Sequence, residues 1–142
     1  MTDYGFKDKV VLIAGGAKNL GGLLSREVGR EGAKVVVHYN SDASRADAQD
    51  TVKAVQDLGG EAYMTQGDLT RPANVEALFQ EAKDKFGGID IAINTVGKVL
   101  RKPIMETSED EYDSMFDINA KSAYFFIKEA GKHLNDNGKI VT

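Results

Sequence analysis

A glycine-rich turn at residues 14–22 is the segment whose residue types most clearly suggest chemistry. It reads Ala-Gly-Gly-Ala-Lys-Asn-Leu-Gly-Gly and links a short apolar run to a helical pattern. Bare amides in such a turn can approach a phosphate, and the positive end of the following helix favours negative charge. The P-loop motif fails because Gly22 and Leu23 stand where Lys and Ser or Thr are needed, and the Gly-x-Gly-x-x-Gly fingerprint fails at positions 17 and 18. The segment therefore predicts either a nucleotide phosphate site with a different glycine pattern, or a turn whose glycines only let the helix pack on the strand.

The residues after the second apolar run bear on which nucleotide would bind. Sites for NAD usually place an acidic residue at this strand end, where it holds the ribose 2′-hydroxyl. Here the strand-end residues are His38 and Tyr39, and the first acid, Asp42, comes only after Asn40 and Ser41. Lys18 in the glycine-rich turn and Arg45 near the start of the next helix supply cations. This pattern would tolerate a 2′-phosphate, so it favours NADP(H) over NAD(H). The alternative is that both cations are solvated surface charges.

Two further segments place polar groups after an apolar run. Asp68 and Leu69 follow the third run, and the Asp68 carboxylate could accept a hydrogen bond from an adenine amino group. The alternative there is a turn in which Asp68 and Thr70 cap the next helix. Residues 94–97, Asn-Thr-Val-Gly, follow the fourth run, where an amide side chain and a glycine could line a cofactor pocket.

Hydrophobic periodicity indicates the elements that must position these residues. Short apolar runs typical of buried strands lie at residues 10–14 and 34–38. Further strands are predicted at 61–66 and 89–94, and a fifth strand is predicted at 138–142. Helical spacing covers residues 20–31 and 42–58, and a further helix with Thr70 as its N-cap extends to residue 86. Ser108 and Glu111 have the spacing of a capping box that opens another helix, and a longer helix is predicted from about 115 to 134.

The alternation of strands and helices predicts the fold class. Strands linked by helices of this length form βαβ units, which give a parallel sheet covered on both faces. The predicted fold is therefore α/β, a Rossmann-type doubly wound parallel sheet. Ligands in such sheets bind outside the carboxyl ends of the strands, and the polar segments described above all follow strands.

Composition excludes several classes of function. Hydrophobic residues make up 42% and charged residues 28% of the 142 residues, which is ordinary for a globular protein. The net charge of −4 argues against a basic nucleic-acid-binding domain. There is no cysteine, and His38 and His133 have no metal-ligand spacing, so no metal site is expected. No signal peptide and no apolar run of membrane-spanning length is found, so no membrane partner is expected and a cytoplasmic location is the default.

Taken together, these segments resemble the short-chain dehydrogenase/reductase family over all 142 residues. The family's Thr-Gly-x-x-x-Gly-x-Gly motif looks like residues 14–21, with Ala14 in place of the threonine and Asn19 in place of the middle glycine. Asn adopts a positive φ more readily than most residues, so the loop is expected to keep its shape. A lysine before that position, here Lys18, resembles the family members that prefer NADP.

The other segments match family motifs in the expected order. Asp68 and Leu69 resemble the family's adenine-contacting pair, residues 94–97 resemble its Asn-Asn-Ala-Gly, and residues 111–119 resemble the stretch that ends in its catalytic asparagine. The resemblance implies that Asn119 is that asparagine and holds a water in the proton path. It also implies a cofactor site formed by Gly15, Gly16, Ala17, Lys18, Asn19, Leu20, Gly21, Tyr39, Asn40, Ser41, Asp68, Leu69, Asn94, Thr95, Val96 and Gly97.

The reaction implied by the resemblance is hydride transfer between a nicotinamide cofactor and a small carbonyl or alcohol substrate. The nearest look-alikes are the 3-oxoacyl-carrier-protein reductase and sugar dehydrogenase branches. Family members commonly form dimers or tetramers, so a homodimer or homotetramer is expected. Ile118, Phe125 and Phe126 could extend into such a subunit contact, or they could pack in the core.

The family's catalytic serine and its Tyr-x-x-x-Lys motif follow the fifth strand. Residues 1–142 are therefore expected to form an incomplete NAD(P)-binding Rossmann domain, about five strands of a larger sheet, with those residues beyond position 142 and no activity in the chain alone. Tyr124 and Lys128 fit the motif, but they follow Asn119 closely, with no strand or serine between. An ordinary helix with an aromatic packing face is the favoured interpretation. A non-catalytic nucleotide-binding or interaction module remains the alternative function.

Overall fold

Five parallel strands form the sheet of this protein, which a computed structural model describes over residues 2–142. The strands lie in the order β3-β2-β1-β4-β5. Their bounds are β1 Val10–Ala14, β2 Lys34–Tyr39, β3 Glu61–Gln66, β4 Ile89–Asn94 and β5 Leu134–Val141. The parallel α/β sheet predicted from the sequence is confirmed. The chain changes winding direction between β1 and β4, so the carboxyl ends of these two strands flank a crevice.

Helices cover both faces of the sheet, and β1 is buried throughout. The helices are α1 Asn19–Arg30, α2 Arg45–Asp57, α3 Pro72–Phe86, α4 Glu109–Phe116 and α5 Ser122–His133. Alternate residues of β1 enter different cores, because successive strand side chains point to opposite faces. Val11 and Ile13 join one apolar cluster with Val55 of α2, whereas Leu12 joins the other with Phe126 of α5.

Two predicted helix starts are wrong. Residues 42–44 form a single 3₁₀ turn, and the α-helix begins at Arg45. Thr70 is not the N-cap of the third helix, because α3 begins at Pro72 with Arg71 in the cap position. Proline favours the first helical position, where its missing N–H costs nothing. The Thr70 hydroxyl instead donates to Asp68 Oδ1 at 2.7 Å in the preceding turn.

The two helices predicted after residue 108 form one continuous helical stretch. The capping box at its start is confirmed, since Glu111 N donates to Ser108 Oγ at 3.2 Å and Ser108 N donates to Glu111 Oε2 at 2.9 Å. Between α4 and α5 the chain makes a π-helical turn at Asp117–Lys121. Such turns carry one extra residue per turn and often occur at functional sites.

Strand β5 begins four residues before the predicted start and follows α5 without a loop. Its pairing with β4 is irregular, passing from Ile89↔Leu134 to Ile91↔Lys139. The polar residues 135–137 give no strand signal in the sequence, which explains the late prediction. Within residues 2–142, no helix is long and apolar enough to cross a membrane.

Candidate functional site

A cavity of about 370 Å³ opens at the carboxyl ends of β1, β2 and β4. The glycine-rich loop and the start of α1 form one wall, and the segments after β2 and β4 form the others. Most of the predicted cofactor residues line it: Gly15, Ala17, Lys18, Asn19, Leu20, Gly21, Tyr39, Asn40, Leu69, Thr95, Val96 and Gly97. The topology therefore brings together segments that are separated by up to 82 residues in the chain.

Four predicted residues lie beside this cavity rather than in its wall. Gly16 is buried behind the loop, where an added Cβ would lie 2.9 Å from the Ile13 carbonyl oxygen. Asn94 Oδ1 accepts a hydrogen bond from Val96 N at 3.0 Å and so shapes the turn after β4. Ser41 is exposed and precedes the 3₁₀ turn, while Asp68 lines an adjoining cavity.

The loop has the backbone shape expected from the resemblance. Gly15 has a φ of +73° and Asn19 a φ of +53°, so the asparagine does take the left-handed conformation. Gly21 allows the loop and α1 to touch, because a Cβ there would lie 2.0 Å from the Gly15 carbonyl oxygen. Any side chain at position 21 would force the loop and the helix apart.

Three side-chain hydroxyl groups bind the carbonyl oxygens of the loop. Thr95 Oγ1 donates to the Ala14 carbonyl oxygen at 2.7 Å, and Ser25 Oγ lies 2.9 Å from the Gly16 carbonyl oxygen. Thr51 Oγ1 of α2 donates to the next loop carbonyl, at residue 17, at 2.7 Å. Because these carbonyl oxygens accept hydrogen bonds from the protein, their repulsion of an anion bound at the loop is reduced.

Sequence reasoning missed Ser25 and Thr51. Both are fully buried on helix faces that pack against the loop. The available signal in the sequence was that a serine or threonine occupies a position where the helical period places an apolar residue. That signal does not identify which carbonyl the hydroxyl will meet.

The first turn of α1 fits a phosphate group. Its N–H groups have no intrahelical acceptors, no side chain caps it, and it contains no acidic residue. Lys18 lines the cavity and is half exposed, and its Nζ lies 3.9 Å from Asp47 Oδ2 of α2. A helix N-terminus with a neighbouring cation is suited to a nucleotide bearing several phosphates.

His38 is a third residue that sequence reasoning missed as part of the site. It is almost completely buried at the end of β2. Its Nδ1 accepts a hydrogen bond from Gly15 N at 3.1 Å, and its Nε2 lies 2.7 Å from the Gly67 carbonyl oxygen. Burial lowers the pKa of His38 below its usual 6.5, against a smaller opposing effect of the Gly67 bond. A single polar residue inside an apolar strand was the available signal.

Asn119 lies on the π-helical turn and contacts the segment after β4. Its Oδ1 accepts from Lys98 N at 2.9 Å, and its Nδ2 donates to the Lys98 carbonyl oxygen at 2.8 Å and to the Met115 carbonyl oxygen at 3.0 Å. Gly97 and Lys98 line the cavity, so the Asn119 side chain stabilises the main chain of one cavity wall through these hydrogen bonds. The catalytic role that the resemblance implies for Asn119 stays a prediction.

Asp68 forms a turn before α3 but does not cap that helix as its alternative interpretation predicts, because Arg71 holds the cap position and no side chain caps the helix. Its Oδ1 accepts from Thr70 N at 3.0 Å and from the Thr70 hydroxyl, and the hydroxyl bond is the main reason that the pKa of Asp68 is lowered. The adjoining cavity also contains Asp110, Asp113 and Asp117. Within residues 2–142, no group of three or more His, Asp or Glu side chains could hold a metal ion.

The Tyr-x-x-x-Lys sequence on α5 lies outside the cavity. Tyr124 is 66% exposed and its ring packs edge-on against Phe125, while Lys128 Nζ lies 5.4 Å from the centre of the same ring. Phe126 is fully buried and Phe125 packs against the core, so core packing accounts for both. The apolar side chains that α5 exposes are instead Tyr124 and Ile127.

Comparisons with known proteins agree with this architecture. A family model described as enoyl-(acyl carrier protein) reductase matches residues 15–142. A hydroxynaphthalene reductase-like protein of Metarhizium brunneum is 35% identical over 140 residues, which are 99% of this chain and 52% of that protein. The chain thus spans about half the length of the curated relatives it matches.

Two solved structures show the same fold. A dehydrogenase from Burkholderia cenocepacia, solved with bound NADP, is 60% identical with a TM-score of 0.93, covering 100% of this chain and 55% of that one. A short-chain dehydrogenase from Oenococcus oeni is 47% identical with a TM-score of 0.85, covering 98% of this chain and 62% of that one.

Proposed function

This chain belongs to the short-chain dehydrogenase/reductase family, and from that premise we propose that it forms the NADP(H)-binding part of an oxidoreductase. The observation that carries the proposal is the cavity at the carboxyl ends of the strands, with its glycine loop, uncapped helix start and lysine. The bound nicotinamide would supply the hydride-transfer chemistry. The substrate would be a small carbonyl or alcohol compound.

The residues present can be assigned to parts of the nucleotide. The loop and the first turn of α1 would hold the phosphates between the two nucleosides, and Lys18 would bind the 2′-phosphate that distinguishes NADP from NAD. Asp68 and Leu69 would contact the adenine. Residues 94–97 would line the remainder of the cofactor pocket, with Asn119 bracing their main chain and retaining its proposed role in the proton path.

A fluorescence titration tests the cofactor assignment directly. Reduced NADPH added to the purified protein should give a saturable signal, and NADH should bind more weakly because it lacks the 2′-phosphate. Absence of saturable binding by either nucleotide would remove the proposed function. Equal affinity for the two would remove only the preference for NADP(H).

The catalytic part is proposed to lie outside these 142 residues. The support is that the chain covers about half of its relatives and that the serine and Tyr-x-x-x-Lys motif expected of the family have no match at the expected places in the sequence. Intact mass of the natural protein tests this. A species about 10 kDa heavier than 15.4 kDa supports a longer enzyme, whereas a stable 15.4 kDa protein that binds NADPH without turnover favours a non-catalytic nucleotide-binding module.

Finer assignments follow from the family resemblance. We propose a substrate similar to a 3-oxoacyl carrier-protein thioester, a homodimer or homotetramer, and a cytoplasmic location. The matched family description names an enoyl-(acyl carrier protein) reductase, which supports a substrate carried on acyl carrier protein but does not bear on its 3-oxo group. Sedimentation of the natural protein tests the second, and a monomer at micromolar concentration would contradict it.

A further inference from the structure

His38 accepts hydrogen bonds from the main-chain N–H groups of both Gly15 and Gly16 in the loop. Its imidazole Nδ1 accepts from Gly15 N at 3.1 Å, while its main-chain oxygen accepts from Gly16 N at 2.9 Å. The other ring nitrogen, Nε2, lies 2.7 Å from the carbonyl oxygen of Gly67, the residue that follows β3. The imidazole therefore joins the loop after β1 to the end of β3 across the intervening strand.

The two ring contacts are compatible with only one protonation state. Gly15 N–H is a donor, so Nδ1 must carry no hydrogen, whereas the Gly67 oxygen is an acceptor, so Nε2 must carry one. Protonation of the ring would place an N–H at Nδ1 directly against the N–H of Gly15. Two donors facing each other would break the contact with the loop.

The loop has little freedom to adapt to that break. A Cβ at Gly15 would lie 2.8 Å from Thr95 Oγ1, and a Cβ at Gly21 would lie 2.0 Å from the Gly15 carbonyl oxygen. Gly15 is thus packed between the segment after β4 and the first turn of α1. A displacement of Gly15 would be transmitted to the helix start, where the phosphates are proposed to bind.

The charged groups around His38 have opposing effects on its protonation. The nucleotide cavity is lined by His38 together with Lys18, Lys98 and Tyr39. The positive charge of each lysine disfavours a positive charge on the His38 imidazole. Glu81 of α3 shares a separate cavity of about 70 Å³ with His38 and favours the charge. The ring is 2% exposed, and its burial is the dominant influence, lowering its pKa below 6.5.

We propose that His38 is a positioning residue for nucleotide binding: its neutral imidazole holds the glycine loop against the end of β3, and its protonation displaces the loop and weakens binding. The part of this inference that concerns the nucleotide rests on the proposed function. The part that concerns Gly15 does not, and it can be tested in the protein alone.

Calorimetric titration of NADP⁺ between pH 4.5 and 8.0 tests the nucleotide part. His38→Leu lacks both ring nitrogens and should raise the Kd at pH 8 about three- to tenfold, the loss expected for one hydrogen bond. His38→Asn can place Oδ1 near the position of Nδ1 and should recover most of that affinity. It cannot titrate, so its Kd should rise less than that of the wild type as the pH falls toward the pKa of folded His38, which lies below 6.5.

Matched controls isolate His38 in this experiment. The 2′-phosphate itself titrates at about pH 6, but it does so equally with every variant. The decisive quantity is therefore the difference between the Kd profiles of the wild type and of each variant. His133→Asn removes the other histidine of the chain and should reproduce the wild-type profile. Superimposable wild-type and His38→Asn profiles would overturn the proposal. Thermal melting followed by circular dichroism checks that each variant is folded, and if His38→Leu is not, wild type against His38→Asn still decides.

Nuclear magnetic resonance separates this inference from the proposed function. In the free protein the His38 ring should show the Nε2–H tautomer at pH 7.5, and the Gly15 amide shift should titrate with the same midpoint as the ring. The Nδ1–H tautomer, or a Gly15 shift that does not follow the ring, would overturn it. If NADP⁺ binds at no pH, the proposed function and the nucleotide part of the inference both fail, while these spectra still decide whether His38 holds Gly15.

Discussion

Lys18 is the residue whose charge should decide between the two nicotinamide nucleotides. It lines the cavity, and its ammonium group is half exposed and only weakly paired with Asp47 at 3.9 Å. Lys18→Glu should therefore lower the preference for NADPH over NADH, measured as the ratio of the two Kd values, by about three- to tenfold. Fluorescence titration of both nucleotides measures this ratio.

A matched charge reversal provides the control for Lys18. Lys128→Glu changes the net charge by the same amount on α5, on a side chain that does not line the cavity. It should leave the ratio unchanged, since exposed charges separated by more than about 10 Å are largely screened at 0.1 M salt. If Lys18→Glu also leaves the ratio unchanged, Lys18 does not bind the 2′-phosphate.

Individual site residues were predictable where the family motif or a strand end marked them. Asn19 was expected to tolerate a positive φ, and it adopts one. His38, Ser25 and Thr51 were not predictable as loop contacts, because each occupies a position in an apolar pattern and meets a partner distant in sequence. The Thr51 hydroxyl, for instance, binds a carbonyl oxygen 34 residues earlier in the chain. Such contacts exist only once the sheet has assembled.

At the scale of elements, the contact between the loop and α1 requires glycine at position 21. Gly21→Ala would place a methyl group 2.0 Å from the main-chain oxygen of Gly15, and neither backbone can move freely. We expect the free energy of unfolding to fall by about 1–3 kcal/mol, as for other overpacked sites, and NADPH binding to weaken strongly. Urea unfolding and fluorescence titration measure the two effects.

Gly131→Ala is the matched control for this change. Gly131 lies in α5, and an added Cβ there would have no neighbour within 4 Å. Alanine in a helix interior is favoured over glycine by up to about 1 kcal/mol, so this variant should be as stable as the wild type or more so. A Gly21→Ala protein that behaves like Gly131→Ala would show that the loop and the helix can separate without cost.

The position of α5 makes Tyr124 a poor candidate for a catalytic tyrosine. Its side chain is exposed, lies against Phe125 and does not line the cavity. Tyr124→Phe removes only the hydroxyl group, so NADPH affinity and the Tm should stay at their wild-type values. A Tyr124→Phe change that abolished turnover, in protein with no additional C-terminal sequence, would contradict this interpretation.

The elements that the sequence located best are strands with a glycine directly before or after them. Strands β1, β3 and β4 begin and end where predicted. The boundary between α4 and α5 was not predictable, since a π turn keeps the chain helical while shifting the apolar period by one residue. The early start of β5 was also not predictable, because residues 135–137 are polar and carry no strand pattern. In the structure, Asn135 Nδ2 of this segment donates to Asp90 Oδ1.

At the scale of the whole molecule, His38 links stability to pH. Its pKa in the folded protein lies below 6.5, the usual value that it regains on unfolding. Between these two values the unfolded chain binds the proton and the folded protein does not, so stability is full above pH 6.5 and declines as the pH falls toward the folded value. Urea unfolding at steps from pH 7.5 to 4.5 should show this decline.

The variant that removes this titration identifies its source. His38→Asn should flatten the stability profile between pH 6.5 and 4.5. Asp68 also has a pKa lowered from its usual 3.8, and its contribution is lost only as the pH falls below that value, so it does not account for a decline between pH 6.5 and 4.5. A decline between pH 6.5 and 4.5 that persists unchanged in His38→Asn would assign the acid sensitivity to another group.

The π turn at Asp117–Lys121 has a consequence for how the length of this protein can vary. The π turn completes about 360° with one residue more than an α turn, so removing one residue from it would give a regular α-helix from Glu109 to His133 whose later part still faces the same way. Phe126 would stay in the core, and β5, which follows α5 without a loop, would still meet β4 in step. A residue removed from the regular helix of α5 would instead rotate the two sides of the deletion by about 100° relative to each other, so single deletions should be tolerated by the fold at residues 117–121 and not within α5.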